Sequence, residues 1–131
     1  MQFAIIYLVG LVSFSLLEML WVRYAGRLLY RSYIGHLQGH IKWAPLIAFY
    51  TIFSIGLAFF ATNPAVTAGA LGYAPVLGAL YGFFMYATYN LLNNASLKAW
   101  PLGLTIIDTV WGTLASGTAA AVTYFVASSI L

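Results

Sequence analysis

Residues 102–126 read LGLTIIDTVWGTLASGTAAAVTYFV, and the fold turns on how that stretch is taken. It is far longer than a strand and carries one charge, Asp108. At roughly 20 residues per crossing, it is long enough to span a bilayer. Lipid offers the backbone no hydrogen-bond partners, so a spanning segment is a helix or part of a closed barrel. Barrels are built from short alternating segments, whereas this run is continuous and apolar, so it is predicted to be helical.

Three more runs of the same kind lie at 3–22, 44–61 and 73–92. The chain of 131 residues is 63% hydrophobic and only 5% charged, against about 25% charged in soluble domains. That leaves too little polar surface for a soluble domain, which excludes one. The expectation is an all-α integral membrane four-helix bundle, one transmembrane domain over residues 1–131. The first run lacks a basic start and ends in EMLWVRYAGR (18–27) without a small-residue cleavage site, so it reads as a retained span. There are no cysteines, so disulfides and thiolate metal sites are ruled out.

Arg23, Arg27, Arg31 and Lys42 fall between the first and second runs, and Lys98 between the third and fourth. The other connections and the ends carry no Lys or Arg. The net charge of +3 therefore reads as a topology signal, not as a nucleic-acid footprint. Positive loops face the cytoplasm, which puts both termini outside a cell membrane, the inner membrane if the source is bacterial. Segment 23–43 is too polar to span. Helical structure is expected to run out of the first span into a short interfacial helix, with Tyr24, Tyr30, Tyr33 and Trp43 at headgroup level. Pro45 and Pro101 open the second and fourth spans, where a missing donor costs nothing.

This topology gathers scattered polar residues into one layer. The only acids, Glu18 and Asp108, each lie about two turns from the cytoplasmic edge. Tyr86, Asn90, Asn93 and Asn94 end the third run on the same side. On that run Gly78, Gly82, Tyr86 and Asn90 share a face that is first small, then polar. Thr105, Asp108, Trp111, Gly112, Ala115, Ser116 and Ala119 form one face of the fourth; Phe14, Glu18 and Trp21 form one face of the first. Arg27 is about half a turn out of phase with Glu18, so Glu18 should find partners on other helices.

A charged Asp near the bilayer centre costs about 2.5–3.5 kcal/mol on insertion scales. Such acids face inward, pair, or take up a proton. If Glu18 and Asp108 are close, they could share one. The predicted pocket is built from Glu18, Asn90, Asn93 and Asp108, walled by Trp21, Tyr86 and Trp111. The same groups could instead serve as helix glue, at about 0.6–2 kcal/mol per contact. Trp21, Trp43 and Trp100 also suit interfacial anchoring; Trp111 is too deep for it. His36 and His40 have helical metal-ligand spacing, but with Gly35 and Gly39 beside them and no third ligand, no metal site is expected. No cofactor motif is present either: there is no phosphate loop, G-x-S-x-G or H-E-x-x-H.

Three stretches carry a resemblance: LLEMLWV (16–22), YATYNLLNNASLKAWPL (86–102) and TIIDTVWGTLASG (105–117). Together they resemble the bacterial membrane-protein family called domain of unknown function 2177, over essentially the whole chain. The resemblance implies Asp as the usual residue where this chain has Glu18, and often at Asn90; the first difference keeps the acid and the second removes a charge. It singles out the same residues and supplies no activity. The favoured expectation is binding, with transport or processing, of a lipid headgroup or small amphiphile. The alternatives are an accessory subunit of a membrane complex, and a lipid-modifying enzyme or isomerase using the acid pair. Membrane lipids are the expected partners, with a homodimer or a larger membrane complex plausible for so small a bundle.

Overall fold

A computed structural model describes residues 1–131, all of them helix, turn or short connection. Helix α1 spans Gln2–Trp21 and passes through a π turn, Val22–Gly26, into α2, Arg27–Ile34. After a 3-10 turn at Gly35–Leu37 and an extended link, α3 runs Trp43–Leu57. A second π turn, Ala58–Thr62, joins α3 to α4, Asn63–Ala68. Helix α5 is Tyr73–Ser96 and α6 is Leu102–Ile130. Counted as continuous rods, the chain is a four-helix bundle with no strands.

Three of these rods are long and apolar enough to cross a membrane: 2–37, 43–68 and 102–130. Helix α5 has 24 residues, about 36 Å at 1.5 Å per residue, but is more polar. Its polarity is partly inward: Tyr86 and Asn90 are buried, along with Gly78 and Gly82.

Both π turns change where the sequence breaks fall. The apolar run ending at residue 22 does not end its helix; the Arg27 amide donates to the Val22 carbonyl, and the rod continues into α2. Helical structure thus runs out of the first helix as expected, as far as Leu37, and the rest of the polar segment up to Trp43 is not helical. The second run, expected to stop at 61, continues to Ala68. Pro64 lacks the amide that would bond Phe60, and the π turn just before it, where Asn63 donates to Ala58, absorbs the mismatch. Gly69 then stops the helix with φ 61°, with Ala70 bonding Ala65 and Gly69 bonding Val66, the paired bonds of a Schellman ending.

The outward faces are apolar: Leu8, Val12, Leu16, Phe59, Phe84, Leu114 and Phe125 are exposed. The inward faces are small. Gly78 and Gly82 of α5 lie against Ser116, Gly117 and Ala120 of α6, so the two backbones approach closely. A Cβ at Gly78 would come within 2.7 Å of the Ser116 carbonyl oxygen. On α1, Ile6, Gly10 and Phe14 are buried at intervals of four, and Glu18 continues that stripe. Phe14 stacks on Phe53 of α3 at 4.4 Å.

The α5–α6 seam supplies a first expected outcome. Gly82→Val forces a branched side chain into the Gly112 carbonyl and Ser116. It should destabilise the bundle by about 3 kcal/mol, the upper end of overpacking costs. Gly39→Ala, with nothing within 4 Å, should stay within about 0.5 kcal/mol. Denaturant titration in detergent, followed by circular dichroism, checks the contrast; equal stability of the two variants would mean the seam is not tightly packed.

Candidate functional site

The stripe on α1 delivers Glu18 to the bundle interior, where Oε1 accepts from Trp111 Nε1 of α6 at 2.7 Å and from the Tyr86 hydroxyl of α5 at 3.0 Å. Both bonds fall on Oε1, and Oε2 takes no donor from the protein. On α6, Asp108 Oδ2 accepts from Asn90 Nδ2 at 2.8 Å, and Oδ1 accepts from the Tyr30 hydroxyl. Asn90 Nδ2 also donates to the Tyr86 carbonyl at 2.9 Å, while Asn90 Oδ1 is buried with no partner.

These contacts close into a ring. Trp21 stacks on Trp111, centroids 4.5 Å apart and planes within 9°. Trp21 Nε1 reaches the Tyr30 hydroxyl at 3.4 Å. From Tyr30 the chain of contacts runs through Asp108, Asn90, Tyr86 and Glu18 back to Trp111. Four helical segments, α1, α2, α5 and α6, are tied by one circuit of polar and aromatic contacts.

The reason Tyr30 takes part lies in the π turn. Twelve residues after Glu18, Tyr30 would sit about 120° away on a regular helix. The extra residue of the π turn takes up about 100° of that. Glu18 and Tyr30 therefore come to nearly the same face. Nothing in VRYAG marks a π turn, so the sequence alone leaves Tyr30 among the headgroup-level aromatics and out of phase with Glu18.

One side of the ring opens into a cleft of about 770 Å³, within the range of small-molecule sites. Glu18, Tyr30, Tyr86 and Asp108 reach it from the ring. Phe49, Ile52 and Phe53 of α3 form one wall; Tyr81, Met85 and Tyr89 of α5 form the other. Ile34, Pro45 and Trp100 complete it. Helices α3 and α5 meet where the Tyr81 hydroxyl donates to the Phe53 carbonyl at 3.0 Å. Beyond that contact Ile52, Met85 and Tyr89 are exposed, so the cleft faces outward between the two helices.

Six of the seven residues expected at the site come together: Glu18, Trp21, Tyr86, Asn90, Asp108 and Trp111. Of these, Glu18, Tyr86 and Asp108 line the cleft, while Trp21, Asn90 and Trp111 stand behind them as supports. Asn93 bonds neither carboxylate and does not line the cleft; it sits near the end of α5, three residues past Asn90. Asn94 instead donates to the Trp100 carbonyl at 3.0 Å, fastening the α5–α6 connection. Trp100, expected as an anchor, donates from Nε1 to Thr105 and borders the cleft. His36 lies in the 3-10 turn and His40 past it, so their spacing is not helical. Neither acid is bonded by an Arg, Lys or His; every donor to them is neutral.

A helical bundle with membrane-length apolar rods and two carboxylates set inside it defines a small integral membrane protein. The chain belongs to the family described as "Predicted membrane protein (DUF2177)", whose model matches residues 3–125. No curated protein and no solved structure matches it.

Proposed function

We propose that the protein binds a membrane amphiphile, with the polar end against Glu18 and Asp108 and the apolar part between α3 and α5. The observation that carries this reading is the cleft itself: ten of its thirteen lining residues are hydrophobic, yet both of the chain's acids reach into it. Glue alone does not require a cleft of this size, nor an Oε2 left free of protein donors. The five basic residues, all in the two connections on this side of the bundle, support placing the cleft in the cytoplasmic half of the bilayer, with both termini outside. Movement or processing of the bound molecule would start from this site.

The second reading, an accessory subunit whose polar layer only joins helices, is favoured by one observation, the closed ring of contacts. Mass spectrometry of purified protein separates the two. One amphiphile class should copurify at about one molecule per chain, and Ile52→Trp, which fills the cleft mouth without touching the ring, should remove it. Identical bulk lipid with both proteins would sink the binding reading and leave the glue.

A further inference from the structure

We infer that the cleft selects a cationic amphiphile, one with an ammonium-type head on an apolar tail. This rests on the binding reading above and adds the sign of the head. Two carboxylates reach the cleft, and no Lys, Arg or His lines it. All four hydrogen bonds to them come from tyrosine, tryptophan or asparagine, which bring no positive charge. A carboxylate out of water without a counter-charge is unfavourable, and an ion pair is one way to relieve it. Glu18 Oε2 has no donor from the protein, and an ammonium group supplies several N–H donors.

The rest of the lining fits the same ligand. Tyr30, Tyr81, Tyr86 and Phe53 border the cavity beside the acids, and aromatic rings attract cations through their negative faces. An anionic head meets two carboxylates and no cation. A neutral head finds acceptors but brings no counter-charge. The tail lies along Ile52 and Met85, whose exposed side chains flank the mouth.

The test uses the full chain in neutral maltoside micelles and follows tryptophan fluorescence, since Trp111 bonds Glu18 and Trp100 borders the cleft. The probes are dodecylammonium, dodecanol and dodecanoate, equal in chain and different in charge. The ammonium should bind at least about tenfold more tightly than the alcohol, about 1.4 kcal/mol, and the carboxylate most weakly. Glu18→Gln and Asp108→Asn should each shrink the ratio of ammonium to alcohol affinity towards one. Equal affinity for all three probes, or preference for the carboxylate, overturns the cationic assignment. The cleft reading survives that result if Ile52→Trp still abolishes binding. Failure of every probe to bind, or binding indifferent to Ile52→Trp, overturns both. Thermal unfolding of each variant distinguishes lost binding from lost fold.

Discussion

Tyr86→Ala is expected to cost about 3–5 kcal/mol, the range for emptying a buried aromatic position. Tyr86 is 9% exposed; its ring fills the space beside Gly112, while its hydroxyl holds Glu18. Tyr86→Phe keeps the ring and loses only the bond, so about 1–2 kcal/mol is expected. Gly112 sharpens the test, because any Cβ there would overlap the Tyr86 ring. Gly112→Ala should therefore destabilise the natural protein. In the Tyr86→Ala background the obstruction is gone, and the same change should stabilise, by up to about 1 kcal/mol of helix propensity. A double-mutant cycle measured by denaturant unfolding in micelles reads this reversal of sign. Additive effects would show that the two positions do not touch.

Asp108→Leu should rank second. The change leaves one of the two N–H donors of the fully buried Asn90 amide, and the Tyr30 hydroxyl hydrogen, without an acceptor. Each stranded polar group costs about 1–3 kcal/mol, so a loss of about 2–5 kcal/mol is expected. Asp108→Asn retains an acceptor for Asn90, and the Tyr30 hydroxyl can rotate to accept from the new amide; a loss within about 1 kcal/mol follows. The same unfolding measurement checks both. If Asp108→Leu is as stable as the natural chain, the contacts around Asp108 do not hold the bundle.

Much of this was legible because composition and period act over long stretches. The four rods follow from apolar runs, and the small-then-polar face of Gly78, Gly82, Tyr86 and Asn90 follows from helical period alone. The pairing of Glu18 with groups on other helices followed from the phase of Arg27. What escaped depended on a single residue of helical phase. A π turn needs only one extra residue and leaves no composition signal, so the sequence alone leaves Tyr30 out of phase with Glu18 and ends the second helix before Pro64. For Asn93, spacings of three and four give the face of a residue but not whether a partner lies opposite it. The cleft between α3 and α5 was also invisible, since no pattern within one helix records that two helices splay apart.

The continuous rod from Gln2 to Leu37 has 36 residues, about 54 Å at helical rise, well beyond the roughly 30 Å of a hydrocarbon core. Its far part, α2, holds Asp108 through Tyr30, and Tyr33 packs on Gly103 at the start of α6. On the binding reading proposed above, occupancy of Asp108 and the docking of α2 are thermodynamically linked, and such linkage is reciprocal. A ligand that displaces the Tyr30 hydroxyl loosens α2 by the same free energy that a clamp on α2 would subtract from the ligand's affinity. A buried acid of α6 is in this way coupled to a helix bearing Arg27 and Arg31.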